Sequence, residues 1–297
     1  MRDSKIPILI TGSSGLIASH LLNFFSDKYE FDKLDISDTL QPVDITNLSQ
    51  LKKAVFSSKA KHLVHFAAFT NVSQAWQETG DKNSLSYKIN VIGTKNVAQV
   101  SQEFEKHLIH ISTAYVFDGQ KNKPYLETDQ PKPIEWYGQT KREAEQIVMA
   151  TKNWTVLRID QPFGSLNHPK LDILHKIVKN LKQNTLPPQF SNHHFGPTFI
   201  DDFVKVIEWA IRTKATGIFH ASSGEIWTDF QFAQTIQESI GSKNIVSAGD
   251  LNQYLKTINR PYQSNTALDC SKLKNKLDFK FTSIKRAIKL VAENILD

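Results

Sequence analysis

Short apolar runs alternate with longer stretches of helical periodicity through the first half of the chain. This alternation predicts strands joined by crossover helices in a parallel sheet. Residues 6–10, 31–36, 63–66, 108–111 and 155–159 are apolar runs of strand length. Between them, Leu16, Leu21, Leu22 and Phe25 share one helical face, and Ile89, Val91, Val97 and Val100 trace another. Beyond Arg158 the pattern is broken by Pro162, Gly164, Pro169, Pro187, Pro188 and Pro197. Helical periodicity returns at 171–181, 203–211 and 230–240, and an apolar run at 217–220 predicts a return to the sheet. The expected organisation is a sheet domain over 1–160 with a return segment near 196–222, and a smaller lobe built mainly from 161–297.

Composition narrows the class. Hydrophobic residues make up 40% of the 297 and charged residues 22%, which supplies a substantial core and excludes disorder. One cysteine excludes an intramolecular disulfide and any multi-thiolate metal site, so no metal is expected and a reducing, cytoplasmic setting is. The apolar stretch at 6–10 is too short for a signal peptide or a membrane span. The net charge of +6 gathers at the C-terminal end, where 270–297 holds seven basic residues against three acidic ones. These lysines alternate with Leu273, Leu277 and Phe279 as on a solvated amphipathic face, and no nucleic-acid motif accompanies them.

Thr11-Gly12-Ser13-Ser14-Gly15-Leu16-Ile17-Ala18 follows the first strand and opens the first helix. Gly12 permits a tight turn, Gly15 lets backbone approach a phosphate, and a helix starting near Ser14 offers unpaired N–H groups and a positive dipole end. A dinucleotide pyrophosphate fits that context. Ser14, Leu16 and Ile17 belong to the expected cofactor surface, as do Ala67 and Ala68 after the third strand. The fold class is therefore α/β, a Rossmann-type doubly wound parallel sheet with a smaller C-terminal substrate-binding lobe. Asp35, twenty residues beyond Gly15, is placed to accept from the adenosine ribose hydroxyls and to repel a 2′-phosphate. NAD(H) is favoured, and NADP(H) stays open because Lys33 is close by. Asp44, with Ile45, is a second candidate for adenine contacts, and equally a turn or cap residue.

Tyr137 and Lys141 lie four apart in a helical pattern, one turn apart on a shared face. A cationic neighbour and a helix N-terminus signalled by Pro133 and Glu135 are expected to lower the phenol's pKa. Ser112-Thr113 follows the fourth strand, at the sheet edge where ligands bind, and Thr113 is suited to donate to a carbonyl oxygen.

These segments, with Asn90-Val91-x-Gly93-Thr94, Tyr115-Val116-Phe117-Asp118-Gly119, Pro124-Tyr125-x-Glu127-Thr128, Gly196-Pro197-Thr198-Phe199-Ile200-Asp201-Asp202 and Arg260-Pro261 followed by Leu268-Asp269-Cys270-Ser271-Lys272-Leu273, run through nearly the whole chain. Together they resemble the extended short-chain dehydrogenase/reductase family, in its dTDP-4-dehydrorhamnose reductase branch. The resemblance implies NAD(P)H-dependent reduction of the 4-keto group of a nucleotide-linked deoxysugar. In that scheme Tyr137 protonates the carbonyl oxygen, Lys141 holds the nicotinamide ribose, Thr113 orients the carbonyl, and Asn90 lies near the site or serves as an interior amide. A homodimer is compatible with the resemblance.

Three departures fall on the substrate side: Ala114 stands where the family has an acid, His193-His194 replace an Asp-Gln, and Ser73 replaces an Asp. His193 and His194 are candidates for substrate contact. Ala114-Tyr115 lacks the acid–base pair that a dehydratase of the superfamily needs. A sugar-nucleotide 4-epimerase remains an alternative. So does a dinucleotide-binding regulatory subunit similar to the methionine adenosyltransferase beta subunit, which shares the segment at 260–273. His62 and His65, three apart in a strand, point to opposite faces and do not form a metal pair.

Overall fold

The computed structural model describes residues 5–296. Six parallel strands form the central sheet: β1 (Ile6–Thr11), β2 (Tyr29–Leu34), β3 (His62–His65), β4 (His107–Thr113), β5 (Trp154–Ile159) and β10 (Gly217–His220). Their spatial order is β10-β5-β4-β3-β1-β2. The chain leaves β1 toward one side and returns as β3 on the other, which creates a switch point with a crevice at the strands' C-terminal ends. The inner strands β3, β4 and β5 are buried on both faces, whereas the edge strand β2 leaves Glu30 and Lys33 exposed.

Helices cover each face. On one, α1 (Leu16–Phe25) and α8 (Ile200–Thr213) bury Leu21, Phe203, Ile207 and Ala210 against Ile8, Ile10, Ile109 and Leu157. On the other, α2 (Leu48–Ser57), α5 (Thr94–Glu103) and α6 (Trp136–Met149) cover Leu9, Leu63, Leu108 and Val156. The short helices α3 (Val72–Gln77) and α4 (Leu85–Tyr87) precede a π-helical stretch, Lys88–Gly93, that leads into α5.

A second core lies away from the sheet. It gathers α7 (Ile173–Lys182), α9 (Asp229–Ser239) and α12 (Ile284–Leu296) around Phe163, Leu174, Phe195, Phe232 and Ile288. Two-residue strands pair here, β6 (Pro162–Phe163) with β9 (Thr198–Phe199), β7 (Gln189–Phe190) with β12 (Ala248–Gly249), and β8 (His194–Phe195) antiparallel with β11 (Trp227–Thr228). The short helices α10 (Leu251–Leu255) and α11 (Ser271–Lys274) follow. The lysines after Cys270 face solvent, whereas Leu273 is buried in the sheet core and Leu277 and Phe279 pack against it. Among the described residues no helix is long and apolar enough to cross a membrane, and none of their His, Cys, Asp and Glu side chains cluster as metal ligands.

Candidate active site

The glycine turn stands at the switch point. Gly12 has φ +69, and a Cβ there would meet the Ala67 backbone nitrogen at 2.6 Å, so both conformation and close approach require glycine. Helix α1 starts at Leu16, with Gly15 as its N-cap, slightly later than the sequence suggested. It has no side-chain cap and no acid in its first turn, so its N-terminal amides keep the capacity to receive an anion. These features fit a dinucleotide pyrophosphate. Gly15, Leu16, Ile17 and Ala68 line the adjoining cleft, whose volume is ≈ 420 Å³.

Asp35 follows β2 directly. Its Oδ2 accepts from the Ser14 amide and hydroxyl, both at 2.8 Å, and its Oδ1 from the Ser37 amide at 2.9 Å and hydroxyl at 2.7 Å. Burial disfavours its charge, but these bonds outweigh burial and hold the carboxyl below its usual range. Ser14 thus ties the phosphate turn to the residue expected at the ribose. Asp44 spends its Oδ1 on the Thr46 amide and hydroxyl, both at 2.8 Å, as a turn residue does. Ile45 points into the core against Gly93. Of the expected cofactor residues, Gly12, Ser14, Asp35, Asp44, Ile45 and Ala67 do not line this cleft.

Thr113, Tyr137 and Lys141 come together in that same cleft. Thr113 ends β4, and Tyr137 lies in the first turn of α6, whose N-cap is Glu135. Helix α6 and the turn that follows β4 approach closely because residue 138 is glycine; a Cβ there would lie 2.2 Å from the Tyr115 carbonyl oxygen. Tyr115 packs edge-on against Tyr137, with ring centroids 5.8 Å apart.

The expectation of an acidic phenol is corrected. Burial pushes the Tyr137 phenol well above its usual value, and the Glu135 carboxylate adds to this while the Thr113 hydroxyl opposes it. Lys141 shares the helix face, but its Nζ donates to the Ile111 carbonyl at 2.7 Å and lies 3.3 Å from His110 Nε2. Burial pulls the ammonium down to about 8, with Glu145 resisting. Spacing put the two side chains on one face; buried acceptors on β4 decided where the ammonium points.

Behind the site, Arg158 on β5 donates to both Glu145 oxygens, at 2.7 and 2.8 Å, and Ser112 donates to the first at 2.6 Å. This buried network joins β4, β5 and α6. Asn90 proves to be a structural amide: its Oδ1 accepts from the Phe69 amide at 2.8 Å and its Nδ2 donates to Thr140 at 3.0 Å.

The histidine pair does not reach the cleft, which corrects the expectation of a substrate contact. His193 is 1% exposed and turned into the lobe, where Nδ1 meets Asp229 at 2.7 Å and the ring lies parallel to Phe195. His194 faces solvent from β8. His62 and His65 are both buried and separately engaged, His62 with His107 and His65 with Thr11 and Thr94.

Other lining residues had no motif to announce them. Lys170 lines the cleft and contacts Thr70 on the opposite wall, while His168 Nε2 lies 3.0 Å from the Ser14 carbonyl, so the 164–172 segment straps across the glycine turn. Arg260 donates to Glu135 at 2.8 Å and to Ser73 at 3.2 Å, tying the second lobe to the start of the Tyr137 helix. Asp160 follows β5 and also lines the cleft. Its position at a strand's C-terminal end was the one available sequence signal.

A dTDP-4-dehydrorhamnose reductase of Aggregatibacter actinomycetemcomitans is 28% identical to this chain over 300 residues, covering 95% of it and 97% of that protein. The crystal structure of dTDP-4-dehydrorhamnose reductase from Bacillus anthracis in complex with NADP superposes with a TM-score of 0.86 at 26% identity, covering 96% of this chain and 98% of that one. Methionine adenosyltransferase 2 subunit beta of Xenopus laevis is 26% identical, covering 89% of this chain and 80% of that protein. The family model described as RmlD substrate binding domain matches residues 6–296, and the chain belongs to that family.

Proposed function

We propose that this protein is an NAD(P)H-dependent reductase of the 4-keto group of a nucleotide-linked 6-deoxysugar. The observation that carries the proposal is the meeting of Thr113, Tyr137 and Lys141 in the cleft that the glycine turn opens. Gly12, Ser14 and Gly15, with the N-terminus of α1, would hold the pyrophosphate. Asp35 favours NAD(H) at the ribose, and NADP(H) remains compatible. A reduced nicotinamide, when bound, supplies hydride to the carbonyl carbon.

The chain's own residues handle the oxygen. A tyrosine phenol is protonated at neutral pH and burial reinforces this at Tyr137, so it starts the reaction as an acid. Thr113 donates a hydrogen bond to the carbonyl oxygen, and Tyr137 gives it the proton as negative charge develops there. Lys141, buried in the same cleft with its Nζ donating to the Ile111 carbonyl, would hold the nicotinamide ribose.

The test is a screen of keto-sugar nucleotides that follows loss of reduced-nicotinamide absorbance. Turnover of a 4-keto-6-deoxy substrate, abolished in Tyr137→Phe, is expected. Absence of hydride transfer to every member of the panel, or unchanged turnover in the variant, overturns the proposal.

A further inference from the structure

Asp160 is 2% exposed and lines the cleft with Thr113, Tyr115 and Tyr137. Its Oδ2 is fully used, accepting from the Gly196 amide at 3.0 Å and the Thr266 hydroxyl at 2.6 Å. The backbone is pinned as well: its amide donates to the Thr198 hydroxyl at 3.1 Å, and that hydroxyl donates to its carbonyl at 2.7 Å. Backbone and Oδ2 are therefore both held in place. Yet Oδ1 is buried and has no hydrogen-bond partner among the described residues. A buried acceptor left unpaired is costly and calls for an occupant.

The sheet register says which occupant. Ile159 pairs with Thr113 across β5 and β4, so Asp160 starts one residue beyond that pair. Neighbouring strands lie about 4.8 Å apart. With the carbonyl oxygen on Thr113 and Tyr137, the sugar group within reach of one strand spacing is the hydroxyl on the carbon next to the carbonyl. The backbone turns sharply here, with Gln161 at φ +38, an uncommon conformation for a residue with a long side chain. That turn ends the strand alternation, and Asp160 and Gln161 both line the cleft.

We infer that Asp160 is a specificity-determining residue whose Oδ1 accepts a hydrogen bond from the 3-hydroxyl of the 4-keto sugar. The inference rests on the reductase reading for the placement of the carbonyl. Burial raises the carboxyl to about 6, opposed by the bonds from Thr266 and Gly196, which leaves it an acceptor at pH 7.5.

Asp160→Asn tests it cleanly. The amide oxygen can keep Gly196 and Thr266, which puts an NH2 donor where the free acceptor stood. The holoenzyme, saturated with reduced cofactor, is assayed at pH 7.5 with a 4-keto-6-deoxy sugar nucleotide and its 3-deoxy counterpart. Wild type should favour the hydroxylated substrate by about tenfold or more in kcat/KM. The variant should raise KM for that substrate by about the same factor, leaving kcat, cofactor Kd and the 3-deoxy KM within about twofold. Equal wild-type handling of both substrates overturns the inference without any variant, and so does an equal KM rise for both in the variant. Should the chain reduce no keto sugar, the reductase reading fails separately. Calorimetry with sugar nucleotides bearing or lacking the 3-hydroxyl then decides: a tenfold affinity difference that vanishes in Asp160→Asn supports the contact, and equal affinities overturn it.

Discussion

Lys141→Met is expected to abolish turnover and yet raise stability at neutral pH. The wild-type ammonium is 3% exposed and its pKa falls from 10.5 to about 8. Because the folded pKa lies below the unfolded one, the unfolded chain binds more protons between pH 8 and 10.5, and stability rises with pH across that window. Below pH 8 the full penalty applies, roughly 3 kcal/mol at 1.36 kcal/mol per unit. Methionine fills a similar volume without the charge, but it gives up the bond to the Ile111 carbonyl, which returns about 1 kcal/mol of the gain. The net expectation is a variant more stable by about 2 kcal/mol at pH 7. The sharper readout is the difference between the two proteins in urea unfolding at pH 7 and pH 9.5. Wild type should regain about 2 kcal/mol relative to the variant over that range, since only wild type carries the titrating group. A pH-independent difference, or a variant less stable than wild type at pH 7, would refute the desolvated-lysine argument.

Tyr137→Phe should remove turnover while cofactor Kd, read by fluorescence titration, stays within about twofold, because the phenol acts on the substrate oxygen. Asp35→Ala should weaken NADH binding by about tenfold and NADPH binding much less, since the carboxylate repels a 2′-phosphate; equal losses would remove Asp35 from cofactor choice. Glu145→Gln withdraws the carboxylate that supports the Lys141 charge, so the lysine should deprotonate at lower pH. The basic limb of the kcat profile should move down by about one unit, and an unmoved limb would disconnect Glu145 from Lys141.

The sheet was legible because its inner strands are buried, largely apolar runs and its helices keep a clear period. The edges were less so. The second strand reads as 31–36 in sequence but ends at Leu34, because Ile36 is apolar and 68% exposed, a side chain that periodicity counts as core. The glycine turn and the Thr113, Tyr137 and Lys141 set were also readable, since each sits at a strand end or on one helix face. Side-chain direction was not. Four-residue spacing brought Lys141 beside Tyr137 but could not reveal the Ile111 carbonyl that claims the ammonium. His193 looked like a loop residue because the strands around it are only two residues long, too short to leave a pattern. Asp160 and Lys170 stand in the proline-broken stretch, where no periodicity marks which residues converge.

The buried ion pair behind the site is better explained by electrostatics than by stability. Replacing such a pair with apolar residues is often neutral or stabilising, so its presence in a core needs another reason. Glu145 lies one turn beyond Lys141 on α6 and is the group that raises the lysine's pKa against burial. Burial alone would push the Glu145 carboxyl up, but the Arg158 bonds, with Ser112 and Arg142, outweigh it and keep the carboxylate charged. Arg158 holds Glu145 ionised, and Glu145 in turn keeps Lys141 protonated near neutrality. Arg158 is itself fully buried and lies over the Phe117 ring, 5.0 Å from its centroid. The polar chain from β5 through α6 thus sets the charge of a side chain in the cleft, and an apolar core at the same positions would pack as well but leave Lys141 to lose its proton.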